Sequence, residues 1–224
     1  MMLSKYIRDV QQRFEAIPGP SAFIYSAIVT KILRKPEREI VKDVIEKNKH
    51  GTILDLGSGT GYLSINIAKR LPNLQVIGID LSRQMIKIAR RKAKGVNNIK
   101  FKVANAANLP FEDNSIDFIV STGSLHHWKN PTNVFNECYR VLKKNKEAWI
   151  YDGCPDAVKE ERVKIRAEYG FLGYQAAVKI AELHGFFKYE YDSKIRVIFD
   201  QTKFENSYKM ELTDVWMKIT LKKK

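Results

Sequence analysis

The chain has 224 residues, 44% hydrophobic and 29% charged, a balance that reads as soluble and globular with a sizeable core. No apolar run reaches the ~20 residues needed to span a bilayer. The opening "MMLSKYIRDVQQRF" lacks the apolar centre of a secretory leader, and two cysteines, Cys138 and Cys154, make neither a disulfide framework nor a metal-ligand cluster. A reduced, cytoplasmic protein with no bound metal is expected. The net charge of +14 fits an acidic partner such as RNA. Its clusters are short, however, at Arg90–Lys92, Lys143–Lys144 and Lys222–Lys224, as on a solvated surface.

Three amphipathic stretches come first. Ile7, Val10, Phe14 and Ile17 share one helical face. After the break at "IPGP", Tyr25, Ile28, Val29, Ile32 and Leu33 make a second face, and Ile40, Val41, Val44 and Ile45 a third. Residues 1–49 read as a helical cap or lid on a main domain, 50–224. That domain alternates: strand "TILDL", helix "YLSINIAKRL", strand "QVIGID", helix "SRQMIKIARRKAKG" closed by Gly95, strands "IKFKVA" and "IDFIVST", helix "PTNVFNECYRVLKK" opened by Pro131, strand "EAWIYD". Such alternation predicts a mostly parallel sheet with helices on both faces. Toward the end, "PDAVKEERVKIRAEYG" and "YQAAVKIAELHG" read as helices. "KYEYDSKIRVIF" and "VWMKITLKK" read as strands, the second alternating as an antiparallel strand does.

The stretch "ILDLGSGTGYLS" sets Gly57, Gly59 and Gly61 on alternate positions after an apolar strand. A dinucleotide turn needs its last glycine one place later, where this chain has Tyr62, and a phosphate loop needs Gly-Lys-Ser/Thr. What remains is a tight strand-to-helix turn against which a ligand without pyrophosphate can lie, its carboxylate toward the helix N-terminus. Asp80 ends the next strand, about 20 residues on, where an acid accepts both hydroxyls of a ribose; Ser82 is free to cap the following helix. A ligand with a ribose, a carboxylate and no pyrophosphate fits S-adenosylmethionine.

These motifs resemble the class I S-adenosylmethionine-dependent methyltransferases, specifically the small-molecule group of the ubiquinone and menaquinone enzymes. The likeness covers residues 50–155, through "ILDLGSGTGYLS", "VIGIDLS", "VANAANLPFEDNSIDFIVSTGSLHHW" and "YRVLKK". It implies a Rossmann-like seven-stranded sheet with its last strand antiparallel. It also implies a cofactor set of Asp55, Gly57, Ser58 and Gly59 around the methionine part, Asp80 with Leu81 at the ribose, Asn105 and Ala106 at the adenine, and Ser121. Asn105 stands where the family usually has Asp, but its amide oxygen can still accept from the adenine amine. "KKNKEAWI" lacks the family's usual glycine before strand five.

A sulfonium methyl is already activated, so positioning and exclusion of water supply most of the catalysis, with a base where the acceptor loses a proton. His126 and His127, after strand four, sit at the edge where open α/β sheets bind ligands; either is a candidate base, or one packs and one points outward. Asp152 ends strand five at the same edge and either bonds the acceptor or caps the next segment. Trp128 floors the pocket or fills core. Cys154 is a weak nucleophile candidate, and His50 and His184 have no partner in view. The N-terminal helices and the insert 155–172, with Tyr25, Tyr169 and Tyr174, either form a substrate lid or pad the sheet. The expected activity is methyl transfer to a small molecule; an RNA methyltransferase and a non-catalytic cofactor-binding protein are the alternatives. Oligomeric state is not legible.

Overall fold

Strands that are apolar on both sides need covering on both sides. In the computed structural model, which describes residues 36–224, seven strands form one sheet. They are β1 (Gly51–Leu56), β2 (Leu74–Asp80), β3 (Ile99–Val103), β4 (Ile116–Thr122), β5 (Leu142–Gly153), β6 (Tyr208–Thr213) and β7 (Trp216–Lys222). Their order is β3-β2-β1-β4-β5-β7-β6. β1 to β5 are parallel, and β7 runs antiparallel to both its neighbours. The helices are α1 (36–47), α2 (Tyr62–Arg70), α3 (Arg83–Lys92), α4 (Pro131–Val141), α5 (Pro155–Glu160), α6 (Arg162–Leu183, broken in two by Gly170 at φ 70°) and α7 (188–199). Alternation along β1 splits the core. Ile53 packs with Ile40, Val41 and Val44 of α1 and with Ile67 of α2, whereas Leu54 and Leu56 pack with Phe135 and Cys138 of α4 and with Tyr191 and Phe199 of α7. The third amphipathic stretch is therefore a core helix. The first two, and Tyr25, lie outside the described residues.

Three sequence expectations are corrected. "KYEYDSKIRVIF" is helical, with a π-helical turn over Tyr191–Ile195. The buried residues recur at Tyr191, Ile195 and Phe199, four apart, while Tyr189 and Val197, which gave the strand-like alternation, are exposed. The Glu190 carboxylate accepts the Phe187 N–H at 3.0 Å, and Lys188–Asp192, Lys194–Glu190 and Arg196–Asp192 pairs link successive turns. The missing strand is β6, which turns through Asp214 (φ 51°) into β7. Third, β5 starts straight after α4, so Lys143 and Lys144 lie on a strand rather than at a helix end. Asn145 takes the left-handed conformation (φ 63°) that the absent glycine would have supplied.

The basic clusters are not all solvated. Lys223, 9% exposed, donates to the Arg140 and Leu142 carbonyls, where the end of α4 attracts a cation. Arg90 donates twice to the Phe101 carbonyl, at 3.2 and 2.7 Å.

The glycine turn, the end of β2, the segment after β3 and the turn after β4 all lie at the C-terminal edge of the parallel strands. Arg140 pins the third of these, donating to the Leu109 and Phe111 carbonyls at 2.9 and 2.7 Å. Asp55, one residue before that edge, is 1% exposed and accepts the Ser64 hydroxyl. Burial raises its carboxyl to about 7, with Asp80 adding to the rise and Ser64 opposing it. Between the unfolded value near 4 and that value the folded chain holds a proton the unfolded chain has lost, so this residue's contribution to stability falls as pH rises from about 4 to 7. The melting-temperature advantage of Asp55→Asn over the parent chain should grow across that window and level off above it. A gap that stays constant from pH 4 to 8 would contradict the assignment.

Candidate active site

The cleft at the strand edge is built largely from backbone. Gly57, Gly59 and Gly61 all have positive φ (68°, 52° and 81°), which lets the chain turn from β1 into α2. Asp80 clamps this turn to the next helix: its Oδ2 accepts the Gly59 N–H at 2.9 Å and its Oδ1 the Ser82 N–H at 2.8 Å. Burial raises its pKa against these two bonds. Each carboxylate oxygen keeps a further lone pair for a hydroxyl. Ser82 caps α3 through the Met85 N–H, as the sequence suggested. Gly57, Ser58, Gly59, Asp80, Leu81, Asn105, Ala106 and His127 all line the cleft. Asn105 Oδ1 accepts the Ala107 N–H at 2.8 Å, which leaves that oxygen one lone pair.

Four expected site residues lie elsewhere. Asp55 sits beneath the turn, bonded to Ser64. Ser121 is fully buried and ties β4 to β1 by donating to the Leu56 carbonyl at 2.8 Å. Asp152 has no exposure, because its carboxylate is taken up by His126: Oδ2 accepts the backbone N–H at 3.0 Å and Oδ1 pairs with Nδ1 at 2.9 Å. Asp152 therefore faces neither an acceptor nor the helix that follows, but fixes the imidazole. Burial pushes its carboxyl up to about 8, opposed by His127 and by the His126 and Gly153 N–H groups. His126 lines a second cavity of about 340 Å³, walled by Val158, Ile165, Ala177, Ile180, Ala181 and Val215. Gly123 and Trp216 line both the cleft and this cavity. Gly123 has φ 59°, and a Cβ there would meet nothing within 4 Å, so the space beside this shared residue is open.

His184 was missed by the sequence reading. It ends α6, and its ring centroid stands 5.7 Å from that of His126, which in turn is 4.0 Å from that of His127. Burial first, and the neighbouring His126 second, lower His127 to about 3 and His184 to about 4; both imidazoles are neutral near pH 7. Trp128 does both things considered for it, lining the cleft and meeting the Phe135 ring edge-on at 5.5 Å. Tyr169 lines the second cavity, while Tyr174 packs beside Ala177 and Ala181.

Residues 47–212 match the family described as "Methyltransferase domain". The chain belongs to that family. It is 32% identical to the demethylmenaquinone methyltransferase of Thermotoga maritima over 135 residues, 60% of this chain and 57% of that one. It is 34% identical to the enzyme of the same name from Listeria welshimeri over 137 residues, 60% of this chain and 58% of that one. The matched part spans little more than half the length of these curated relatives. Among solved structures, a Methanococcus maripaludis protein described as a candidate S-adenosylmethionine-dependent methyltransferase superposes with a TM-score of 0.70 at 25% identity, covering 90% of this chain and 91% of that one. The fold is thus the class I methyltransferase fold that the glycine turn and Asp80 implied. No helix among the described residues is long and apolar enough to cross a membrane.

In this methyltransferase fold, His184 reaches the sheet edge through a backbone contact. Gly153 and Gly185 form an isolated bridge, and the Phe186 N–H donates to the Gly153 carbonyl at 3.1 Å. A Cβ on Gly185 would lie 2.0 Å from the Gly153 oxygen, so only glycine allows this approach. Gly185→Ala should destabilise the protein by about 1–3 kcal/mol through overpacking, read by urea denaturation. Unchanged stability would mean that the contact does not hold the His184 segment in place.

Proposed function

We propose that the protein transfers the methyl group of S-adenosylmethionine to a small ring-hydroxylated acceptor of the quinol class, bound in the second cavity. The observation that carries this reading is that Gly123 lines both spaces, and in this reading it marks their junction. One is a cleft suited to a ligand with a ribose and a carboxylate; the other is a largely apolar cavity that His126 and His184 line, with Glu39, Lys164, Glu168 and Asp214 also in its wall. The quinone-biosynthetic names of the curated relatives support the acceptor class. In this reading Asp80 takes the ribose hydroxyls, the backbone at Gly57, Ser58 and Gly59 holds the methionine end, and Asn105 and Ala106 border the adenine. His127, being neutral, adjoins the sulfonium without repelling it. His126 accepts the acceptor's proton, with Asp152 as the positioning residue behind it. The acceptor's electron pair forms the new bond to the methyl carbon as the C–S bond breaks toward sulfur, leaving S-adenosylhomocysteine. The insert 155–172 supplies Val158, Ile165 and Tyr169 to the cavity wall and acts as part of a substrate lid. The basic groove of Arg83, Lys87, Arg90, Arg91 and Lys94 borders neither space, so RNA has no comparable support.

Calorimetry should show binding of S-adenosylmethionine and S-adenosylhomocysteine but not of NAD or ATP. Asp80→Ala should weaken that binding at least tenfold, because bonds to a charged group are worth roughly 1.5–3 kcal/mol each. NAD binding with no response to the other two ligands would overturn the reading. Gly123→Ala places a methyl group in the junction and a non-glycine residue at positive φ, at a stability cost of about 1–2 kcal/mol. It should keep cofactor affinity within about threefold while lowering turnover of a hydroquinone acceptor at least tenfold, as read by S-adenosylhomocysteine formation. Undiminished turnover would show that the methyl group does not cross there.

A further inference from the structure

His126, His127 and His184 present ligand-capable nitrogens that all lie within 4.8 Å of one another. They come from two segments far apart in sequence, the turn after β4 and the end of α6; the Gly153–Gly185 bridge ties the second to the end of β5, where Asp152 holds His126 of the first. Packing alone does not call for three imidazoles at one point, since apolar rings would fill the space without polar atoms to satisfy. A carboxylate stands behind the cluster: Asp152 Oδ1 on His126 Nδ1, at 2.9 Å. Metal-ligating histidines almost always have such a partner on the ring nitrogen that does not bind the metal.

We infer that His126, His127 and His184 form a seat for one divalent transition-metal ion, with zinc the best match, whose open fourth position faces the junction between the cleft and the second cavity. With Nδ1 on Asp152, His126 ligates through Nε2. Three imidazoles suit zinc, cobalt, nickel or copper rather than magnesium or calcium, which require oxygen ligands. Three protein ligands with one open position is the arrangement of a catalytic rather than a structural zinc site. Bonds of 2.0–2.1 Å in a tetrahedron put nitrogens about 3.4 Å apart, so the cluster must contract by up to about 1.5 Å. His127 ends a single 3₁₀ turn and His184 sits in the non-helical cap of α6, where side-chain rotation suffices.

The functional consequence, unlike the binding itself, rests on the methyl-transfer reading. The ion's positive charge selects an oxygen or sulfur anion as the fourth ligand. An acceptor O–H or S–H loses its proton to water on coordination. Its electron pair then attacks the methyl carbon, and the C–S bonding pair leaves on sulfur. The metal then replaces His126 in ionising the acceptor.

The untagged chain, stripped with a chelator, is titrated with Co²⁺ and followed by its visible ligand-field bands, then displaced with Zn²⁺. One equivalent should bind with the intense bands of a tetrahedral site. His184→Ala should lower affinity at least 100-fold, Asp152→Asn 10- to 100-fold, and His50→Ala, at an exposed histidine, not at all. Retained S-adenosylhomocysteine binding identifies variants that remain folded. Should His184→Ala unfold, His184→Gln serves in its place. Absent or non-stoichiometric binding, or equal affinity in the folded His184 variant, overturns the seat. Full turnover by the stripped enzyme in chelator would overturn the metal's role while leaving the methyl-transfer reading intact. Stoichiometric binding by a chain that methylates no acceptor would uphold the seat and sink that reading instead.

Discussion

The crossovers around β1 govern the layout of the site. From β1 the chain moves through α2 to β2 and then β3 on one side, and returns to place β4 on the other. The loops that leave β1 and β4 therefore diverge over the same sheet edge, and the crevice between them is where such sheets bind ligands. The glycine turn, Asp80, the Asn105 segment and the turn carrying His126 and His127 are brought to one place by that reversal in strand order. No single side-chain contact could do the same, since the residues span the chain from position 57 to 127.

The two halves of the crevice use different chemistry. The cofactor side relies on backbone: a left-handed turn, N–H groups, and Asp80, which gathers two of them. The second cavity, where we propose the acceptor binds, relies on side chains of α1, α5, α6 and the β6–β7 turn. Common cores with variable walls let one fold serve many acceptors.

Burial dominates the electrostatics of the site. It raises Asp55 and Asp152 and lowers His127 and His184, in each case favouring the neutral form. For the proposed transfer this suits the cofactor, whose sulfonium carries the positive charge and loses it as the methyl group leaves. The Asp152–His126 pair links β5 to the turn after β4, beside the Gly123 N–H bond to the Tyr151 carbonyl, and it fixes the orientation of the imidazole.

Local sequence determined the elements whose signals are local. The alternate glycines, the acid about 20 residues on, the Ser82 cap and the Pro131 start depend on backbone torsions and spacings within a few residues. They marked the glycine turn and Asp80, while Ser58, Leu81, Asn105 and Ala106 came from the resemblance to the methyltransferases; all of these line the cleft. Sequence could not separate the strand and helix readings of "KYEYDSKIRVIF", because its apolar residues satisfy both periods, and only the sheet surface beneath α7 decided which of them are buried. Nor could it tell that Asp55 and Ser121 point into the protein rather than into the cleft, since a one-residue change of register exchanges the faces of a strand. Above all, His184 gained its meaning from tertiary structure: it stands 57 positions beyond His127, and the close approach of Gly185 to Gly153 sets it beside the end of β5, whose Asp152 holds His126.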